Sequence, residues 1–430
     1  MKKLKPLLVT VMACLLSIGL AGHYTASASV SGNNELINLN SSGVKTAAGL
    51  SGISNNGRYI LMSSGVSMTS SDTNSTSDLY IRDRQTNTTN LVSIPSGGSS
   101  AGGGVEYSSM SHDGRFVVFS TAATGYVSSD TSSGSDVYMR DTINNTTILI
   151  SADSSGLPMN YALRPQVSAD GRFVAFEARK YISGVLGDYN VYVRDTVLNT
   201  TELVSKTSSG NPGNNESLGP SISCDGGIVS FSSRATDLDS SISDTNNQMD
   251  VMFVNRVGGN IVKNITSSGN NQSAAVTNGG LSCDGNYISF NSSASNFHSG
   301  DTNGYIDSFR YSRINSDINI ISADSSGNEG NRAPTYASLS GDGRYSVFAS
   351  QSNNFTPSDT FTSDVFLKDL DTGIIQKVSI NSTGTGGNAG TYSGIISSNG
   401  KYAAFWTSAS NLVSTDTDNN TDILVGETGL

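Results

Sequence analysis

Short apolar runs alternate with polar stretches rich in Gly, Ser, Asn and Thr along the whole chain, and this pattern repeats seven times. Each repeat has a Ser-x-Asp-Gly or Ser-x-Asn-Gly segment before an apolar run. The glycines of these segments are Gly57, Gly114, Gly171, Gly226, Gly285, Gly343 and Gly400, at spacings of 57, 57, 55, 59, 58 and 57 residues. A period this steady predicts one array of repeated supersecondary units instead of separate domains.

The hydrophobic pattern predicts four β-strands in each repeat, named a to d in chain order. In the second repeat strand a precedes the Asp-Gly turn, and strands b, c and d cover residues 115–120, 136–140 and 147–151. Residues 35–43 resemble the end of a repeat, and a strand c at residues 422–425 is the last strand. Pairing the first strand with the last three would leave no open sheet edge. The sequence therefore predicts an all-β fold, a seven-bladed β-propeller of four-stranded antiparallel blades in which the N-terminal strand pairs with the C-terminal blade.

Loop lengths indicate where a partner would bind. The a–b turns and c–d links are short and lie on one face of the ring, here called the short-turn face. The b–c and d–a loops are longer and lie on the opposite face, here called the long-loop face. Long loops on a rigid scaffold are common binding sites, so the long-loop face is the expected binding surface.

Strand b carries an aromatic or apolar residue directly after the turn and another three positions on. Phe116 and Phe119 of the second repeat are an example. We expect these side chains to fill the space between neighbouring sheets and not to stack on a ligand.

The motifs S-x-D-G-R-[YF]-V-x-F and D-V-Y-V-R-D, which recur across roughly residues 35–427, resemble the WD40-like repeat of TolB-type β-propellers. The resemblance implies the propeller fold and, for function, docking to proteins. TolB itself carries a separate N-terminal α/β domain and a six-bladed ring, whereas this chain has no room for that domain and contains seven repeats.

The N-terminus predicts export. Lys2, Lys3 and Lys5 precede an apolar run, and Ala26-Ser27-Ala28 has the small-x-small pattern of a cleavage site. We therefore expect a signal peptide at residues 1–28 and a single propeller domain at residues 29–430, in an extracellular, cell-surface or periplasmic location. The alternative is a lipoprotein that is lipidated at Cys14.

Composition narrows the classes of partner. Removal of the three lysines of residues 1–28 changes the formal net charge from −11 to −14, and so acidic a surface repels nucleic acid. No later segment is apolar for the 18 or more residues of a membrane span.

Cys224 and Cys283 occupy one position in adjacent repeats, so we expect them to be too far apart for a disulfide and to be free thiols. A monomer is expected.

The b–c loops of several repeats carry oxygen-bearing side chains at alternating positions, with a further carboxylate downstream. Their residues are Asp72, Asn74 and Asp78; Asp244, Asn246 and Asp250; Asp301, Asn303 and Asp307; and Asp416, Asp418 and Asp422. Because Ca²⁺ takes six to eight oxygen ligands from curled loops, this pattern predicts calcium sites. In the alternative interpretation Asp and Asn cap turns through their own backbone, and the last Asp anchors strand c.

Enzymatic signals are weak. After export only His112 and His298 remain, one in a short turn and one in a long loop, so a Ser-His-Asp triad is not expected and no catalytic residue is assigned. We expect a non-enzymatic propeller that binds a protein, peptide or glycan through its long-loop face. The alternative is a polysaccharide hydrolase or lyase with carboxylates at the channel mouth, in which non-repeating polar residues would gather at one point of the ring.

Overall fold

The computed structural model describes residues 29–430 except for positions 97, 99–103, 131–133, 183–184, 246–247, 266–279, 336 and 358. The described residues form seven antiparallel sheets, numbered here as blades 1 to 7. The chain begins with β1 (Asn34–Leu36), which belongs to blade 7. Blade 1 contains β2 (Gly49–Ile53), β3 (Tyr59–Ser64), β4 (Asp78–Asp83) and β5 (Thr88–Leu91). Blade 2 contains β6 (Val105–Met110), β7 (Phe116–Thr121), β8 (Asp136–Asp141) and β9 (Thr146–Leu149).

The remaining blades follow in the same order. Blade 3 contains β10 (Asn160–Val167), β11 (Phe173–Ile182), β12 (Val185–Asp195) and β13 (Thr200–Leu203). Blade 4 contains β14 (Ser217–Ile222), β15 (Ile228–Ser233), β16 (Asp250–Asn255) and β17 (Ile261–Asn264). Blade 5 contains β18 (Tyr287–Ser292), β19 (Asp307–Ser312) and β20 (Ile318–Ile320), with its innermost strand represented by the bridge between Leu281 and Ile288. Blade 6 contains β21 (Ser338–Leu339), β22 (Tyr345–Ser350), β23 (Asp364–Asp369) and β24 (Ile375–Lys377), and blade 7 contains β25 (Thr391–Ile396), β26 (Tyr402–Thr407) and β27 (Asp422–Glu427).

The N-terminal strand closes the ring, as predicted. β1 is the outermost strand of blade 7 and pairs antiparallel with β27, with Asn34 opposite Gly426 and Leu36 opposite Leu424. The Ile37 amide extends the pairing by donating to the Ile423 carbonyl at 2.9 Å. Since both ends of the described chain share one sheet, the seven-bladed propeller predicted from the repeat pattern is confirmed.

A buried hydrophobic cluster lies between each pair of neighbouring blades. Between blades 3 and 4, Val193 packs with Val229 and Phe231. Between blades 7 and 1, Ile423 packs with Ile60, so the last interface has the same construction. A fully buried side chain of this size contributes about 1.5 to 3 kcal/mol through the hydrophobic effect. The ring is therefore held by interfaces between sheets, as the aromatic pattern of strand b predicts.

The Ser-x-Asp-Gly turn is a compact hydrogen-bonded unit. In blade 2 the Ser111 hydroxyl donates to Asp113 Oδ1 at 2.7 Å and accepts from the Phe116 amide at 2.9 Å. Asp113 Oδ1 also accepts from the Arg115 amide at 3.0 Å. These bonds satisfy the polar groups of the turn locally, which explains why Ser and Asp or Asn recur at these positions.

In six blades an aromatic residue after the turn packs on the turn glycine of the next blade, and in blade 4 Ile228 takes this place over Gly285. Tyr59 of blade 1 lies over Gly114, and Phe116 of blade 2 lies over Gly171. Tyr402 of blade 7 lies over Gly57 of blade 1, so the series of contacts returns to its start. A Cβ at Gly171 would lie 2.1 Å from the Phe116 ring, and φ there is +78°. Glycine is therefore required by its positive φ and by the approach of the ring.

The Asp that ends strand c forms an ion pair with the arginine that follows the a–b turn. The pairs are Arg58–Asp83, Arg115–Asp141, Arg172–Asp195 and Arg344–Asp369, at 2.6 to 2.9 Å. The Arg58 hydrogen bonds are the main reason that the pKa of Asp83 falls to about 2. Asp83 also accepts the Gln85 amide of the c–d turn at 2.9 Å. These acidic residues thus cap turns and pair structurally, and the adjacent Arg82 bonds to the Asn87 carbonyl instead.

The expectation of two free thiols is wrong. Cys224 and Cys283 form a disulfide, with their Cα atoms 4.7 Å apart. The residue after Ser in each turn lies close to the ring axis, where adjacent turns bond directly: the Cys224 amide donates to the Cys283 carbonyl at 2.8 Å, and the Asn55 amide to the His112 carbonyl at 2.8 Å. Blades are widely spaced at their outer strands but converge at the axis, so equivalent positions in adjacent blades can be bridged there.

Residues 1–28, which include the predicted signal peptide and Cys14, lie outside the described residues. Export therefore stays a prediction, with which the disulfide is compatible because disulfides persist in oxidising compartments. Within the described part of the chain, no helix has the length and apolar character needed to cross a bilayer.

The contact between ring and glycine predicts a measurable cost of substitution. Gly156→Ala places a methyl group at φ +82° with nothing within 4 Å and should cost about 1 kcal/mol. Gly171→Ala meets the same backbone strain and also the Phe116 ring, which should add about 1 to 3 kcal/mol. Urea unfolding followed by intrinsic fluorescence measures both values. Equal losses in the two variants would show that the contact contributes nothing beyond the backbone conformation.

Candidate functional site

In five blades the last residue of the b–c loop, an Asp or in blade 3 Asn190, anchors strand c. Asp78 Oδ1 accepts the Ser93 hydroxyl at 2.5 Å, and the same hydroxyl accepts the Leu79 amide at 2.9 Å. Equivalent bonds join Asp136 to Ser151, Asn190 to Ser205, Asp307 to Ser322 and Asp364 to Ser379, at 2.6 to 3.0 Å. The structural role predicted for this Asp is therefore observed. Its second carboxylate oxygen can accept from another partner, as Asp307 Oδ2 accepts from Asn303 Nδ2 at 3.2 Å.

In blade 7 the b–c carboxylates surround an ammonium group. Lys45 Nζ lies 3.0 Å from Asp416, 2.5 Å from Asp418 and 2.9 Å from Asp422. Blade 6 has a related arrangement, in which Lys377 Nζ lies 3.1 Å from Asp359 and 2.8 Å from Asp364. In these two loops a lysine supplies the positive charge that the acidic pattern requires.

The predicted residues of blades 1 and 4 are placed differently. The Tyr80 hydroxyl donates to Asp72, and the Asn74 amide donates to Asp72 Oδ1 at 3.2 Å. In blade 4 Asn264 Nδ2 donates to Asp250 Oδ2 at 2.9 Å. Asp244 is described, whereas Asn246 lies outside the described residues. Calcium binding at these two loops stays a prediction.

Blade 5 gathers three carboxylates. Oxygen atoms of Asp301, Asp307 and Glu329 lie within 4.8 Å of one another. Asp301 is only 5% exposed, and neither of its carboxylate oxygens accepts a hydrogen bond. Burial, together with the nearby charges of Asp307 and Glu329, raises the pKa of Asp301 to about 6. Asn303 turns its oxygen to the Tyr305 amide at 2.6 Å, so Glu329 takes the place in this cluster that the sequence assigned to Asn303.

The central channel contains a cavity of about 540 Å³ lined mainly by innermost strands, with Arg164 as its cation. Arg164 donates to Glu177 at 2.5 Å and to the Tyr107 hydroxyl at 3.2 Å, and its guanidinium carbon lies 4.7 Å from the Tyr107 ring centroid. Glu177 is fully buried and also accepts the Gly219 amide at 2.7 Å. Burial raises the pKa of Glu177, although Arg164 and the Gly219 amide oppose this effect.

The backbone around Arg164 is irregular in a way that the other blades do not share. Pairing of β10 with β11 shifts register twice, and Tyr161 and Arg164 adopt φ of 52° and 48°. The other described non-glycine residues with positive φ are Asn87, Asn145, Asn199, Asn260 and Ser316, all in c–d turns. Such conformations cost about 1 to 3 kcal/mol each and cluster at functional sites. The structure thus has a non-repeating polar cluster at one point of the channel.

Aromatic side chains are exposed on the long-loop face. Tyr305 and Phe361 of two adjacent b–c loops are 41% and 55% exposed, and the Arg332 guanidinium carbon lies 5.9 and 4.9 Å from their ring centroids. In blade 7, Tyr392 and Trp406 are 46% and 36% exposed. Arg, Tyr and Trp are the residues that most often dominate the energy of protein interfaces.

Comparison with solved structures shows the fold. An oligogalacturonate lyase from Vibrio parahaemolyticus is 11% identical, with 92% of this chain and 96% of that chain covered and a TM-score of 0.52. A prolyl endopeptidase is 11% identical with a TM-score of 0.53, over 87% of this chain but 50% of that chain. TolB from Acinetobacter baumannii is 15% identical, with 86% and 80% covered and a TM-score of 0.39. No family model and no curated protein matches the sequence.

The similarities to the lyase and the endopeptidase agree with the predicted β-propeller fold. TolB proteins are also among the similar structures. Sequence reasoning missed Glu329, Arg164 and Glu177. Glu329 could have been found by aligning the d–a loops, since it lies seven residues after Ser322 as Lys45 lies seven after Asn38. Arg164 and Glu177 have no counterpart in the repeat motif and gave no such signal.

The Arg164–Glu177 pair predicts a stability loss that depends on pH. Arg164→Ala leaves Glu177 as a buried carboxylate without its cation, which should destabilise the protein by about 2 to 4 kcal/mol at neutral pH. Because the pKa of Glu177 is raised in the folded state, this loss should be small below the ordinary glutamate pKa of about 4.3 and should grow as pH rises through the raised value. Urea unfolding at several pH values measures it.

The double variant Arg164→Ala/Glu177→Gln is the control, because glutamine removes the charge and still accepts the Gly219 amide. It should recover most of the stability at neutral pH. A double variant as unstable as Arg164→Ala at every pH would exclude the unpaired carboxylate as the cause.

Proposed function

We propose that this is an exported, non-enzymatic binding protein that holds a protein or peptide partner on its long-loop face, over the mouth of the channel. The observation that carries the proposal is the exposed set of arginine and aromatic side chains on this face, above all Arg332 between Tyr305 and Phe361. Water-exposed aromatic rings of this kind gain free energy when a partner covers them. Tyr161 and Arg164, which have strained backbone conformations, lie beside the channel. Because strain of this type clusters at functional sites, it supports binding at the same face.

The charge distribution fits a partner that is not nucleic acid. The mature chain is acidic, while the channel and the long-loop face carry the guanidinium groups of Arg164 and Arg332 next to aromatic rings. A peptide that offers carboxylate and apolar groups would match this surface. A glycan is the other class of partner consistent with exposed aromatic rings.

A second function is favoured by one observation. Glu177 is a buried carboxylate with a raised pKa, and it is paired with Arg164 at the channel, which is an arrangement common in active sites. We infer from it, as the alternative, a hydrolase or lyase that acts on polysaccharide. Incubation with a polysaccharide panel, followed by assays for reducing ends and for ultraviolet-absorbing unsaturated products, tests this function. Glu177→Gln should abolish such an activity and leave partner binding on the aromatic surface unchanged.

Partner binding is tested by capture. Tagged protein is incubated with envelope extract and culture fluid of the producing cells, captured proteins are identified by mass spectrometry, and a glycan array is run in parallel. Arg332→Ala and Trp406→Ala should each weaken binding of the captured partner about tenfold or more, as expected for interface hot spots.

Val257→Ala is the matched control, because Val257 is an 86% exposed apolar residue in a c–d turn on the short-turn face. It should bind like the wild type. Normal binding by Arg332→Ala and Trp406→Ala together with loss in Val257→Ala would place the interface on the short-turn face and overturn the proposal. Glycan-array binding without protein capture would replace the protein partner with a glycan.

A further inference from the structure

Five of the d–a loops share a backbone feature, which allows their positions to be compared. An isolated bridge joins residues six apart in five of these loops: Leu39 to Lys45, Ala152 to Pro158, Lys206 to Pro212, Ala323 to Glu329 and Ile380 to Gly386. Glu329 of blade 5 therefore occupies the position of Lys45 of blade 7. By the same alignment, Asp301 and Asp307 correspond to Asp416 and Asp422, each pair at the same distance from its strand c.

This alignment shows a reversal of charge. In blade 7 the Lys45 ammonium binds the carboxylates of Asp416 and Asp422 directly. In blade 5 the equivalent position carries the Glu329 carboxylate, which faces Asp301 and Asp307. The lysine of blade 6, Lys377, is replaced in blade 5 by Ile320, so the second source of positive charge is missing too.

The neutral partner used in other blades is also missing from blade 5. In blades 1 and 2 the hydroxyls of Tyr80 and Tyr138 donate to Asp72 and Asp130, the residues equivalent to Asp301. The corresponding residue of blade 5 is Phe309, which has no hydroxyl. Asp301 is consequently left with two buried oxygens that accept no hydrogen bond.

We propose that the fifth blade binds one Ca²⁺ ion between the carboxylates of Asp301, Asp307 and Glu329. A buried carboxylate without a hydrogen-bond donor is costly unless it meets a positive charge. The candidate ligands are all oxygens, which suit a hard cation, and they come from two separate loops, which Ca²⁺ tolerates better than Mg²⁺ because it accepts irregular coordination. His298 is not available as a nitrogen ligand through Nδ1, since this atom accepts the Gly300 amide at 3.0 Å.

The ion would tie together two loops of the long-loop face. Asp301 lies in the b–c loop of blade 5, which also carries Tyr305, and Glu329 lies in the d–a loop that carries Arg332. Thr302 already connects these loops, because its amide donates to Glu329 at 2.8 Å. The site does not depend on the proposed partner, and its test does not require one.

The test uses the full exported chain after treatment with EDTA and removal of the chelator. Isothermal titration with CaCl₂ should give about one ion per chain, with a dissociation constant near 10⁻⁴ M, in the range of extracellular calcium modules. Addition of about 10 mM CaCl₂ should raise Tm by about 3 °C. The absence of both binding heat and a Tm rise would overturn the proposal.

Two variants and one control locate the site. Glu329→Gln and Glu329→Lys should both lose the calcium response while melting at or above the wild-type temperature in EDTA, because repulsion within the cluster is relieved; Glu329→Lys should in addition reproduce the blade 7 arrangement. Asp416→Asn is the control in the equivalent loop, and it should keep the calcium response of the wild type. A full response in both Glu329 variants, or its loss in Asp416→Asn alone, would reject blade 5 as the site.

Discussion

The contact between an aromatic ring and the turn glycine of the next blade joins adjacent sheets around the ring. Tyr59 rests on Gly114 at the start of the series, and Tyr402 rests on Gly57 where the ring returns to blade 1. At Gly57, Gly114 and Gly171 a Cβ atom would lie 2.1 to 2.6 Å from the ring, so glycine allows this approach. The same contact draws the turns together at the axis, where Cys224 and Cys283 are close enough to be bonded.

The fold could be predicted because each level of the sequence agrees on it. Turn chemistry, strand-length apolar runs and a constant period all specify the same blade, and the displaced first strand specifies a closed ring. Pairing of Leu36 with Leu424 follows from counting strands and needs no knowledge of side-chain contacts. The structural roles of Asp83 and of its equivalents could also be foreseen, since a residue that recurs in several blades is expected to serve the scaffold.

The rest could not be predicted, for two physical reasons. Sequence spacing gives the distance between repeats along the chain but not their separation in space. In a propeller, equivalent positions of adjacent blades come closer together toward the axis. The prediction of free thiols at Cys224 and Cys283 was wrong for this reason. The second reason is that residues which depart from the repeat have no equivalent in the other repeats with which they can be compared. Arg164 and Glu177 meet because β10 bulges twice, and neither bulge is written in a turn motif or in a hydrophobic period. Glu329 required a comparison of loops that the strand pattern leaves unaligned.

Within this ring, the positions that differ between blades are more informative than those that recur. The same acidic loop is neutralised by Lys45 in blade 7 and by Lys377 in blade 6, and it receives a tyrosine hydroxyl at Asp72 in blade 1. These partners differ in chemistry, but each supplies a positive charge or a hydrogen-bond donor to the same acidic loop. In the loop of Asp301 both lysine positions and the tyrosine position are changed, and a third carboxylate is added. Two of these changes make the loop more negative and the third removes a hydrogen-bond donor. Such changes would weaken a loop that had only to fold, and they are consistent with a loop that recruits its positive charge from solution.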